Sequence, residues 1–344
     1  MTDYNFPDKD TFQSLIGIQR YEEALGLPIH YSLKQLHLTY IASQTVFSSD
    51  SSLLALVSNV YNILRNEPLL EKGFRLYHLG YLKESIPMLK LVSETQKNCD
   101  IYSALGTALY RTGEYADAVP YLRSVAKKKE RGKIFLYLGM SLEQNGNKSE
   151  AISWLKKASA CGEEDALFET GRLLTEIKDY EGAEFFLKKS LKYENKTDAR
   201  FLLSISCYHT GRLEEGLQHL QILTAINPLP DYYHWYARFL IKMNRIDEAV
   251  PILLSLVSSR GSAVDFHWYG STLLQQNETS KALVYLRKSL EIRGNASDYL
   301  WYGIGQCQDG QDNIAIQFLE QAQKMGAGEV CSHWLRVARE KSAK

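Results

Sequence analysis

The sequence predicts an all-α fold of tandem antiparallel helix hairpins, from three recurrences in register. A small residue returns at near-constant spacing, a leucine always stands four places after it, and a residue suited to ending a helix stands five places before it. The small anchors are Ser85, Ala118, Ala151, Ala183, Gly216, Ala249, Ala282 and Ala315, separated by 33 residues except for one step of 32.

Each anchor is followed by Leu89, Leu122, Leu155, Leu187, Leu220, Leu253, Leu286 or Leu319. Anchor and leucine therefore share one helical face. Twelve residues before each anchor stands another small residue: Gly73, Gly106, Gly139, Gly171, Ser204, Ala237, Gly270 or Gly303. Two small residues let two helices approach closely while the leucine fills the groove beside their contact. The break between the helices falls at Gly80, Gly113, Gly146, Lys178, Gly211, Asn244, Asn277 and Gly310. Glycine and asparagine tolerate the left-handed backbone that ends a helix, so Lys178 is the exception in residue type. The shorter step lies between Leu155 and Gly171, which predicts a shortened inter-repeat turn near Cys161-Gly162.

With these positions in place, the chain resembles the tetratricopeptide repeat family. One good copy is Tyr102, Leu105, Gly106, Leu109, Ala118, Leu122, Val125, and another is Phe135, Leu138, Gly139, Leu142, Ala151, Leu155, Ala158. Pro228 holds the family's closing-proline position. The resemblance covers residues 67–328 in eight copies. It implies a right-handed superhelical solenoid of about eight to nine repeats, with the first helix of each hairpin lining the concave side. The apolar run Leu53, Leu54, Leu56, Val57, Val60, Ile63, Leu64 marks residues 33–66 as a degenerate further hairpin. Residues 1–32 form an N-terminal extension with a helix over 9–26 that ends at Gly26-Leu27-Pro28. Residues 329–344 hold a capping helix whose Arg336, Arg339, Glu340 and Lys341 solvate an otherwise bare face.

Composition narrows the function. Forty basic residues balance 40 acidic ones in 344, so no net field draws the chain to nucleic acid or an anionic membrane. The opening residues lack the basic and apolar segments of a secretory signal, and no long apolar run follows, which predicts a soluble cytoplasmic protein without membrane insertion. The five cysteines are scattered and read as reduced packing residues. No phosphate loop, metalloprotease helix or nucleophile elbow occurs, so the chain is expected to be neither an enzyme nor a cofactor carrier.

The distinctive feature is the aromatic series HWYA, HWYG, LWYG and HWLR, again at steps of 33 residues. Trp235, Trp268, Trp301 and Trp334 take one equivalent position, and His234, His267 and His333 precede three of them. One reading has the indoles wedge between consecutive first helices and space the repeats. The other has them border a groove that receives apolar residues of a partner, with Arg238 one turn from His234 as a further contact. The series is confined to the C-terminal half, which favours a binding role there. Histidines one repeat apart are too far from each other to share a metal ion, so no metal is expected. The lysine, asparagine and arginine clamp with which some family members hold chaperone tails is supplied by no three consecutive repeats. The densest basic cluster, Arg123, Lys127, Lys128, Lys129, Arg131 and Lys133, falls where one repeat meets the next and reads as a solvated turn.

The expected function is therefore a non-enzymatic protein–protein interaction scaffold that binds a partner peptide or helix in the concave groove of its C-terminal repeats. A dedicated chaperone for an apolar or secreted substrate and a self-assembling adaptor, hence a homo-oligomer, stay open beside it.

Overall fold

A helix ends where its next residue can turn left-handed. The computed structural model has this geometry at all eight expected breaks, with φ between +60° and +89° from Gly80 to Gly310. Lys178 adopts it too, at φ +66°. The backbone rule thus holds where the residue type breaks it, and a side chain with a Cβ bears the cost. The structure describes residues 33–47, 49–66, 68–194 and 196–343, with scattered positions between 11 and 27. The helix expected over 9–26 falls mostly outside the described residues.

The described residues form helical hairpins throughout. They are α1 (Leu33–Val46) with α2 (Ser51–Asn66), α3 (Leu69–His78) with α4 (Leu82–Thr95), α5 (Cys99–Thr112) with α6 (Tyr115–Ala126), and α7 (Gly132–Gln144) with α8 (Lys148–Ala160). There follow α9 (Glu164–Glu176) with α10 (Tyr180–Tyr193), α11 (Thr197–Thr210) with α12 (Leu213–Ile226), and α13 (Pro230–Lys242) with α14 (Ile246–Ser259). The last are α15 (Ala263–Gln275) with α16 (Thr279–Ile292), α17 (Ala296–Gln308) with α18 (Asp312–Lys324), and the single helix α19 (Glu329–Ser342). Two compact units divide the chain, Met1–Thr170 and Gly171–Lys344, and each is a stack of these hairpins. No described helix is long and apolar enough to cross a membrane.

Within a hairpin the leucine of the second helix sits directly on the small residue of the first. A methyl group added to Gly106 would lie 2.8 Å from Leu122 Cγ; at Gly139, Gly270 and Gly303 the corresponding distances to Leu155, Leu286 and Leu319 are 2.7, 2.7 and 2.8 Å. All these leucines are fully buried. Where the anchor itself is glycine, the reason is a neighbour: a Cβ on Gly216 would stand 2.5 Å from the Phe239 ring, which enters from α13. The space one residue gives up is filled by another, as close packing requires.

The 32-residue step corrects one expectation. The turn at 161–163 has three residues, as do those at 194–196 and 260–262. Instead α8 stops nine residues past Ala151, whereas α10 and α14 run ten past Ala183 and Ala249. Gly162, at φ +90°, closes the shortened helix. The lost residue came from the last helical turn because the three-residue connection is already near its minimum.

Two stability changes follow. Gly139→Ala should lower stability by roughly 1–3 kcal/mol through overpacking against Leu155, measured by urea unfolding; an unchanged midpoint would show that the hairpin can spread without cost. Lys178→Gly removes left-handed strain and should raise stability by about 0.5–1 kcal/mol, visible as a higher melting temperature.

Candidate functional site

The first helices of three successive hairpins in the second unit, α13, α15 and α17, and then α19, carry the aromatic series. Trp235, Trp268 and Trp301 each stand two residues before a buried small residue, and all four tryptophans are half-buried. A position next to the packing residue but rotated from it lies at the margin between neighbouring helices. Each indole there is partly buried and partly exposed.

The rings form a column through Arg238. Its guanidinium carbon lies 3.8 Å from the Trp235 ring centre, 4.8 Å from that of Trp268 and 4.9 Å from that of Tyr208. Tyr208 meets Trp235 edge-on at 5.5 Å. Lys242, one turn beyond Arg238, holds its ammonium 4.3 Å from the Tyr208 ring centre and donates to the Tyr208 carbonyl at 2.6 Å. That carbonyl belongs to the last turn of α11, where helical acceptors lack partners, so the lysine caps a neighbouring helix. Helices α11, α13 and α15 are thus joined by alternating rings and cations.

The histidines do something else. His234 and His267 are each 7% exposed, which removes them from the surface on which the sequence reading placed them. Each faces an aspartate 31 positions later, in the first turn of the next hairpin. His267 Nδ1 is 2.9 Å from Asp298 Oδ1, and His234 Nδ1 is 3.8 Å from Asp265 Oδ1. Both aspartates are fully buried and complete a capping box, with Ser262 for α15 and Asn295 for α17. Each also receives two hydrogen bonds from an arginine five residues before it, Arg260 at 2.7 and 2.8 Å and Arg293 at 2.5 and 2.8 Å. Ser289 donates a further bond of 2.7 Å to Asp298. These are buried, charge-assisted links between successive hairpins. The same pair of positions holds Phe201 and Tyr232 one hairpin earlier, ring on ring at 5.0 Å, and Leu300 and Cys331 one hairpin later.

The titration behaviour reflects these surroundings. Burial pushes the His234 pKa down to about 4, helped by Arg238 and opposed by Asp265. Burial works against ionisation of Asp298 and Asp265, yet the hydrogen bonds from Arg293 and Arg260 outweigh it and hold both below the usual carboxylate range.

The eight residues singled out in the sequence therefore separate. Trp235, Arg238 and Trp268 come together; Trp301 meets His267 edge-on at 6.4 Å. His333 is exposed, with its own neighbour Trp334 at 6.0 Å and Arg336 at 3.5 Å. The structure adds Tyr208, Lys242, Asp265, Asp298, Arg260 and Arg293. The last four recur at 33 residues and were open to detection, but an aspartate in a first helical turn looks like an ordinary cap.

Two open crevices of about 560 and 540 Å³ lie elsewhere, at one equivalent place in two hairpins. Pro228, Tyr233, Ile252 and Ser255 line one in the second unit. Glu130, Phe135, Trp154 and Lys157 line its counterpart in the first unit, beside Lys127, Lys128 and Lys129. Part of the basic cluster there is neutralised internally: Arg123 pairs with Glu150 at 2.9 Å, and Lys129 and Arg131 share Asp100 at 3.4 Å.

Stacked hairpins with half-open aromatic margins define a class of helical repeat proteins. Residues 103–166, from α5 into α9, match the tetratricopeptide repeat family, whose spacing of small residue, anchor and leucine recurs in eight copies along this chain. Over those residues the chain is similar to that family. It is also similar to solved structures: a tetratricopeptide repeat protein of Parabacteroides merdae (17% identity over 79% of this chain and 97% of that one, TM-score 0.41), TTC0263 of Thermus thermophilus (15%, 53% and 98%, 0.43) and MamA of Desulfovibrio magneticus (19%, 46% and 93%, 0.42). No curated protein matches it.

A pH dependence follows from His234. A histidine whose folded pKa is depressed contributes stability that is complete above the unfolded value of 6.5 and is lost as pH falls toward about 4. The second unit should weaken by something on the order of 2–3 kcal/mol across that range, and His234→Gln should flatten the fall. Parallel urea-midpoint curves for native protein and variant between pH 7 and pH 4 would assign the acid sensitivity to other groups.

Proposed function

We propose that the chain is a non-enzymatic scaffold that binds a peptide or helix of a partner protein along the first helices of its second unit. One observation carries the reading: Tyr208, Trp235 and Trp268 are packed against Arg238 and one another and stay partly exposed. Rigid, half-open aromatic rings receive a partner's apolar side chains at little entropic cost, and tryptophan, tyrosine and arginine dominate binding energy where they occur in interfaces. A preformed surface of this kind lets a flexible partner become ordered while the receptor changes little. The cytoplasm fits the same reading, since all five cysteines are free thiols.

Comparison of proteins captured by the native chain and by the doubly substituted Trp235→Ala/Trp268→Ala form tests this. The native chain should retain a set of proteins that the variant, equally helical by circular dichroism, loses at least tenfold. Equal capture by both would remove the aromatic column from the binding surface.

A further inference from the structure

Arg238 differs from other arginines of the second unit. Arg260 and Arg293, both more exposed than it, spend their charge on Asp265 and Asp298. Arg238 has no carboxylate within ion-pairing distance among the described residues, and its Nε is buried without a hydrogen-bond partner. Its surroundings are aromatic or cationic: the three rings described above, with Tyr208 also offering its hydroxyl, and Lys242 one turn away. Nearby His209, stacked on Tyr180 at 4.1 Å, has its pKa lowered by burial and then by Arg238, Lys242 and Lys178. A chain with zero formal net charge thus brings Arg238, Lys242 and Lys178 close enough to act together on His209, and among the described residues none of the three holds an ion pair with a carboxylate.

Withdrawing a guanidinium from water without pairing it is costly, and ring faces return only part of that cost. Rings also occupy the faces of the guanidinium and not its edge. The in-plane edge, which matches a carboxylate in two-point geometry, meets the Tyr208 hydroxyl and no carboxylate among the described residues, and its Nε stays unsatisfied. We infer that the slot at Arg238 takes an acidic side chain, aspartate or glutamate, from within a partner polypeptide, with an apolar neighbour of that residue seated against Trp235 or Trp268. This rests on the groove reading above and adds the partner's chemistry to it.

Selection of random peptides displayed on phage against the full-length chain separates the two ideas. The native chain should enrich an acidic residue next to apolar ones. Against Arg238→Gln the acidic residue should disappear while the apolar ones persist, and against Trp235→Ala/Trp268→Ala the whole motif should vanish. In the enriched peptide, made synthetically and followed by fluorescence anisotropy, glutamate to glutamine should weaken binding roughly 10- to 100-fold, and amidation of its C-terminus should leave binding unchanged. The peptide substitution alters no residue of the chain, so it reads the pairing even where an Arg238 variant folds poorly. An enriched motif that is tryptophan-dependent but uncharged, an acidic motif that survives Arg238→Gln, or dependence on the terminal carboxylate alone would each overturn the inference while leaving the groove standing. Enrichment indifferent to both tryptophans would overturn the groove as well.

Discussion

The fold depends on a leucine pressed against a residue with almost no side chain. At Gly106, Gly139, Gly270 and Gly303 the gap between paired helices is too small for a methyl group, so the leucine closes the hairpin at a fixed separation. Fixing that distance repeatedly keeps the first helices at regular spacing, and regular spacing lets the same side-chain position recur as a row. Hairpins that cannot bury enough surface alone borrow it from neighbours, which couples their stability in one dimension. Where a copy departs from the rule it is repaired locally, as when Phe239 takes the room left by Gly216.

A second kind of joint is laid over this in the C-terminal copies. Earlier copies meet through apolar contacts and partly exposed ion pairs such as Arg123–Glu150, whereas α15 and α17 also carry buried aspartates, each held by an arginine and a capping residue and facing the histidine of the preceding copy, at hydrogen-bond distance for Asp298. Buried charges of this kind fix register more than they add stability. The consequence for binding is that Trp235 and Trp268 stand on helices whose relative position is pinned by hydrogen bonds as well as packing. A receptor surface that moves little loses little on association.

The fold class was fully legible because packing positions repeat eight times, and repetition separates signal from noise. The backbone at Lys178 shows the strength of such a frame: the residue is wrong for a left-handed turn and the turn forms regardless, since the hairpins on either side leave no alternative. The 32-residue step was placed correctly along the chain, but its effect was not visible, because sequence alone does not say whether a turn or a helix end gives way. The candidate site was legible only as a list of residues. Histidine and tryptophan recur side by side, yet one turns inward to an aspartate 31 residues on and the other lies at the open margin. A difference of one position around a helix separates these fates. Arg238 was noticed for its distance from His234; its nearest ring, Trp235, shares α13 with it, while Tyr208 and Trp268 lie on α11 and α15, which no spacing within α13 discloses.

The aspartate–histidine joint has a direction. The copy 263–295 offers an imidazole forward and receives one from behind, so the link exists only between copies in their present order. Duplicating the stretch 263–295 in place would preserve every joint and lengthen the array by one module. Exchanging it with the copy before it would set a buried carboxylate against Phe201 and leave it without a histidine partner. Growth of the C-terminal stack by tandem copying is thereby tolerated and shuffling is not, a polarity written into two side chains per module.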